Sequence, residues 1–193
     1  MPLKIVHPNR YEIIGRGLVL LLSSTNQTKT PDLHMGALTE EIALLSKGHA
    51  IIGQEKRFTD ASDIESARLE FTTGVRELIA DQGIRIILEI RGKKEPGLGI
   101  MVAPSTSEAD EIVEIVKTAF SLTVPTAVTP LSSAELPTYS SDKDVQTIVL
   151  DLGPDERSIQ RETVIDIAAE TVGLVNRKLG FSGRDDGPGD ALD

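Results

Sequence analysis

The chain has 193 residues, of which 39% are hydrophobic and 26% charged, proportions that suit a soluble folded protein and exclude wholesale disorder. Thirty acidic residues against twenty basic ones give a net charge of −10, which repels a phosphate backbone. Four Phe, two Tyr and no Trp leave no platform for stacking bases, and zero cysteines exclude disulfides, thiolate nucleophiles, iron–sulfur clusters and cysteine-based zinc sites.

No run approaches the roughly 18 consecutive apolar residues that span a bilayer, so no membrane partner is expected. The apolar run 18–22 is too short for a signal-peptide core and follows Asn9, Arg10, Glu12 and Arg16. The expected location is therefore the cytoplasm. The start of the chain reads as a short strand over 4–6, and 17–23 (GLVLLLS) as a buried one. A helix over 35–47 follows, with Leu38, Ile42 and Leu45 on one face. The run 49–53 (HAIIG) is the next strand. Ile64, Ala67, Phe71, Val75, Leu78 and Ile79 then mark a long helix, capped by Ser62 and Glu65 and stopped at Gly83.

Strands are predicted over 84–90 (IRIILEI) and 98–102 (LGIMV), too close together for a helical crossover and so read as a local antiparallel excursion. The glycine-rich run between them lacks phosphate-loop spacing and a following helix, and reads as a turn. Ser105 and Glu108 cap a further helix through Phe120, and 125–128 is a weak strand. The segment 129–144, with two prolines and four serines, reads as a long loop. The strand 145–152 (VQTIVLDL) precedes a last helix from about Asp155 to Gly180, whose apolar face includes Ile159, Val164 and Val172.

Alternating strands and helices with continuously apolar strands predict a three-layer α/β fold, a mostly parallel sheet with helices on both faces. The runs 17–23, 84–90 and 145–152 are the most apolar and are expected to be neighbouring central strands. Residues 1–181 form one domain on this reading, and 182–193, with four Asp against one Arg, form an acidic tail.

The chemistry is carried by charges at the ends of apolar strands. Glu89 and Arg91 share one side of their strand, because side chains alternate with period two. Asp151 ends another strand. With Ser23, Ser24, Arg57 and Arg157 they fall at the carboxyl edge of a parallel sheet, where ligands bind in open α/β folds. Glu89 with Arg91, or Asp151 with Arg157, also makes sense as a structural ion pair. His7, His34 and His49 show no paired metal spacing, although Asp32 stands two residues from His34. His49 reads as a surface or boundary residue.

At the same residues the chain resembles the N-formylglutamate amidohydrolase superfamily. The middle strand Ile-Leu-Glu89-Ile-Arg91-Gly92 with its hairpin, the late strand ending in Asp151, Arg157 beyond it, and Lys56-Arg57 follow that superfamily's order. The resemblance implies a shared fold with an altered site. The early strand ends in Ser23-Ser24-Thr25 without the superfamily's first histidine, and Arg91 stands in place of the second. A guanidinium cannot ligate a metal, so no zinc or other cofactor is expected. The reading that follows is a non-catalytic protein whose Arg57, Arg91 and Arg157, with Glu89 and Asp151, hold a small carboxylate or phosphate. The alternatives are a hydrolase of amide or peptide-like substrates, with a metal held by Asp, Glu and one His, and an assembly partner acting through an exposed helix face. The oligomeric state is left open.

Overall fold

The computed structural model describes residues 2–23, 34–54, 60–103, 107–122, 126–130 and 145–181. In chain order these hold β1 (Leu3–Val6), β2 (Arg10–Ile14), β3 (Val19–Ser23), α1 (Met35–Ser46), β4 (His49–Gly53), α2 (Ala61–Gln82), β5 (Ile86–Gly92), β6 (Leu98–Val102), α3 (Ser107–Ser121), β7 (Thr126–Pro130), β8 (Gln146–Leu152), α4 (Pro154–Arg157) and α5 (Arg161–Lys178). The strands form one sheet in the order β1-β2-β4-β3-β5-β8-β6-β7. Its centre, β4-β3-β5-β8, is parallel throughout, so these strands end at one edge. Among the described residues no helix is long and apolar enough to cross a membrane.

Both faces of the central strands are buried, which explains their uninterrupted apolar runs. Leu21, Ala50, Leu88 and Leu150 pack with residues of α1, α3 and α5 on one face. Leu20, Leu22, Ile51 and Ile87 pack with Phe71, Val75 and Leu78 of α2 on the other. The winding reverses about β3: α1 leads to β4 on one side of it, and α2 leads back across to β5 on the other. Such a reversal opens a crevice at the carboxyl edge.

Sequence expectation and structure agree on the three-layer α/β fold and on the neighbours β3, β5 and β8, and differ in four places. The pair β5 and β6 is not a hairpin ladder; β8 lies between them, parallel to β5 and antiparallel to β6. The strand β2 was hidden by its charges. Arg10, only 5% exposed, donates through Nε and Nη2 to Glu12 at 3.1 and 2.6 Å and through Nη1 to the carbonyl of Glu70 on α2 at 3.1 Å. Asp60, not Ser62, caps α2, accepting from the Asp63 amide at 2.9 Å, while Gly83 ends it in the left-handed conformation, as expected. The last helix is two, broken over 158–160, and Ile159 and Leu45 point to solvent instead of the core. The first two residues of the expected loop 129–144 belong to β7 instead, while its remainder, the Ser105 cap and the tail 182–193 lie outside the described residues.

His49 corrects a fifth expectation. It is 2% exposed, and its Nδ1 accepts the Gly15 amide at 3.2 Å. Burial pushes its imidazole below the ordinary value of 6.5, against the opposing effect of a backbone bond at Gly17. The folded protein therefore takes up this proton less readily than the unfolded chain does. The stabilisation is complete above the unfolded value and falls as pH drops below it, by up to about 1.4 kcal/mol per unit. Urea melts at stepped pH between 7.5 and 5 should show this slope, and His49→Gln should flatten it. An unchanged slope in the variant would assign it to other groups.

Candidate active site

The carboxyl edge of β5 and β8 carries a row of charges on the face that α2 covers lower down. Glu89 and Arg91 alternate with the apolar side chains of β5 and continue the side of Ile87. Arg91 Nε and Nη2 donate to Glu89 Oε1 and Oε2 at 2.8 and 3.0 Å, a bidentate fork. Glu89 is 2% exposed, whereas the Arg91 side chain is 27% exposed, so the carboxylate anchors the guanidinium from below at the carboxyl edge. The pair is thus the structural ion pair anticipated from the sequence, and it holds a fixed positive charge at the edge.

Register places Asp151 of β8 beside Arg91 on one side and Gly99 of β6 on the other. Gly99 matters for what it lacks. A Cβ there would stand 3.2 Å from the Asp151 Cβ and 3.6 Å from Lys93 Nζ. The glycine lets β6 lie close against the half-buried Asp151, and the Lys93 ammonium reaches the same spot. Lys93 extends β5: its amide donates to the Leu152 carbonyl at 2.9 Å. The spacing 89, 91, 93 was a signal in the sequence, overlooked because Gly92 and Lys93 read as part of a turn.

Arg157 lies at this edge as a staple. Its Nε donates to the Gly153 carbonyl and its Nη2 to the Lys93 carbonyl, each at 3.1 Å, tying α4 to the ends of β8 and β5. Ser23 shares the face of Leu21, the opposite one, and its buried Oγ has no hydrogen-bond partner among the described residues. Arg57 and Ser24 lie outside the described residues. The structure thus brings together Glu89, Arg91, Asp151 and Arg157, adds Lys93, and leaves Ser23 on the other face.

A metal centre needs three or more converging donors. Among the described residues no group of three His, Asp or Glu side chains meets that requirement. His7 Nε2 lies 3.3 Å from Glu12 Oε1, His34 precedes α1 with φ of 71°, and His49 is in the core. Glu89 is committed to Arg91. The described part of the edge does not fit a metal ion.

No family model matches the chain, and no curated protein matches its sequence. Solved structures do. An N-acetylmuramoyl-L-alanine amidase of Nostoc punctiforme is 10% identical with a TM-score of 0.51, over 84% of this chain and 99% of that one. The CwlD amidase of Clostridioides difficile, solved with the GerS lipoprotein, is 13% identical with a TM-score of 0.56, over 86% and 100%. A bacteriophage poly-gamma-glutamate hydrolase is 10% identical with a TM-score of 0.52, over 91% and 92%.

The chain has the fold of these amidases and hydrolases. This overturns the resemblance to the N-formylglutamate amidohydrolase superfamily. The motifs that carried it are short strand ends followed by turns, which many sheets wound in this way share. One of them, Glu89-Ile-Arg91, is an ion pair along a single strand face and not a set of ligand positions. These neighbours are named as amidases and a hydrolase, the class of the alternative drawn from the sequence and not of the non-catalytic reading.

Proposed function

We propose that the protein is a hydrolase that cleaves an amide bond in small substrates bearing a carboxylate, such as N-acyl amino acids. The observation that carries this reading is the placement of Asp151 between Arg91 and Gly99, with the Lys93 ammonium close to Gly99. The fold shared with amidases and a poly-gamma-glutamate hydrolase supports the reaction class.

The roles follow from the charges. Arg91, whose Nε and Nη2 are turned to Glu89, attracts the substrate carboxylate through the charge of its part-exposed guanidinium. Adjacent strands stand about 4.8 Å apart, so an amide a few ångströms from that carboxylate reaches Asp151. Asp151 accepts a proton from water as the water oxygen bonds to the carbonyl carbon. Negative charge then develops on the carbonyl oxygen, and the Lys93 ammonium stabilises it. When the C–N bond breaks, the proton held by Asp151 passes to the departing nitrogen. The products are a carboxylic acid and an amine, with one water consumed.

The test is a panel of N-acyl amino acids and dipeptides, assayed for released primary amine, once with added zinc and once with a chelator. Release above the uncatalysed rate for at least one carboxylate-bearing amide, in either arm, supports the reading. Release from none, or preference for the corresponding amides lacking the carboxylate, overturns it.

A further inference from the structure

A second feature lies away from this edge. Helices α3 and α5 are neighbours on the face opposite α2. They run antiparallel, since Glu111 near the start of α3 pairs with Lys178 at the end of α5. Between their outer surfaces opens a groove of about 870 Å³. Its floor is apolar, made by Ile115, Ala119 and Leu122 from one side and Ile167 and Leu174 from the other. Leu122 is 83% exposed, more apolar surface than a helix end needs to show. The groove runs from Glu111 to Leu122, about 16 Å or three helical turns at 1.5 Å per residue.

Charge selects the occupant. The rim carries Asp110, Glu111, Glu114 and Glu170 against two lysines, Lys178 paired with Glu111 and Lys117 with Glu114, so its net charge stays negative. The chain's own tail, 182–193, has four Asp against one Arg and is repelled by such a rim. A second copy related by a two-fold axis would set acidic rim against acidic rim. An anionic membrane surface is repelled for the same reason. We infer that the groove between α3 and α5 docks an amphipathic helix of a partner protein, with an apolar stripe flanked by Lys or Arg. The stripe fills the floor as a third helix laid into the groove of a helix pair, and the flanking cations meet the rim. This surface is independent of the edge that carries Asp151, and the inference stands whether or not that edge is catalytic.

The absence of cysteine supplies a clean test. Thr118→Cys places a single environment-sensitive fluorophore in the groove, and Glu65→Cys places one on exposed α2 as a control. The probe is a synthetic amphipathic Leu/Lys peptide of about 15 residues, long enough to hold a helix once docked. The expected result is a saturable blue shift at Thr118→Cys alone, with micromolar affinity that weakens as salt rises. Leu174→Glu, and separately Glu114→Lys with Glu170→Lys, should each weaken it by about tenfold or more. A Leu/Glu peptide of the same pattern should not bind. Equal shifts at both labels, indifference to the groove substitutions, or no binding would overturn the inference. So would a doubling of mass with concentration that itself shifts the Thr118→Cys label, which would assign the groove to a second copy.

Discussion

Arg91→Met is expected to lower stability by about 3 kcal/mol, at the lower end for a buried ion pair broken on one side. Glu89 is 2% exposed and would lose both bonds of its bidentate partner while staying buried. For a chain of this size the loss corresponds to a fall in melting temperature of about 6–12 °C. The double variant Glu89→Leu with Arg91→Met should recover most of it, because an apolar pair continuing the side of Ile87 removes the stranded charge instead of exposing it. Urea midpoints of the three proteins measure this directly. A single variant as stable as the parent would show that Arg91 does not hold Glu89, and the fixed cation at the edge would lose its basis.

Asp151→Asn should leave the fold nearly untouched and reduce amide hydrolysis by about 10²–10⁴-fold. The side chains are nearly the same size, Asp151 is only half-buried, and its strand is set by pairing with β5 and β6. An amide cannot accept the proton that the attacking water gives up. The rate constant should therefore collapse while substrate affinity, which rests on Arg91, changes little. A variant that folds like the parent and keeps its rate would remove Asp151 from the reaction.

The strands and their burial were legible because both faces of β3, β5 and β8 are covered, which writes a continuous apolar run into each. The position of β8 between β5 and β6 was not, since pairing between distant segments leaves no local mark. Charged β2 reads as a loop until α2 is laid over it and Arg10 finds the Glu70 carbonyl and Glu12. His49 looks like a strand opener because only the folded chain brings the Gly15 amide to its ring. At the site, alternation along one strand was enough to pair Glu89 with Arg91. Lys93 was missed because it follows the strand's last glycine, and the close approach of Gly99 to Asp151 is visible only once β6 stands beside β8. The superfamily resemblance failed for a related reason: strand ends and turns repeat across folds.

On the proposed function, water is added across an amide bond at the edge of β5 and β8. The direct measurement is turnover of the best substrate from the N-acyl amino acid panel in ¹⁸O-labelled water, with mass spectrometry of both products. The expected result is one heavy oxygen in the released carboxylic acid, formed in equal amount with the free amine, by the parent protein and not by Asp151→Asn. Recovery of intact substrate after prolonged incubation with the parent, or acid product without the label, would contradict it.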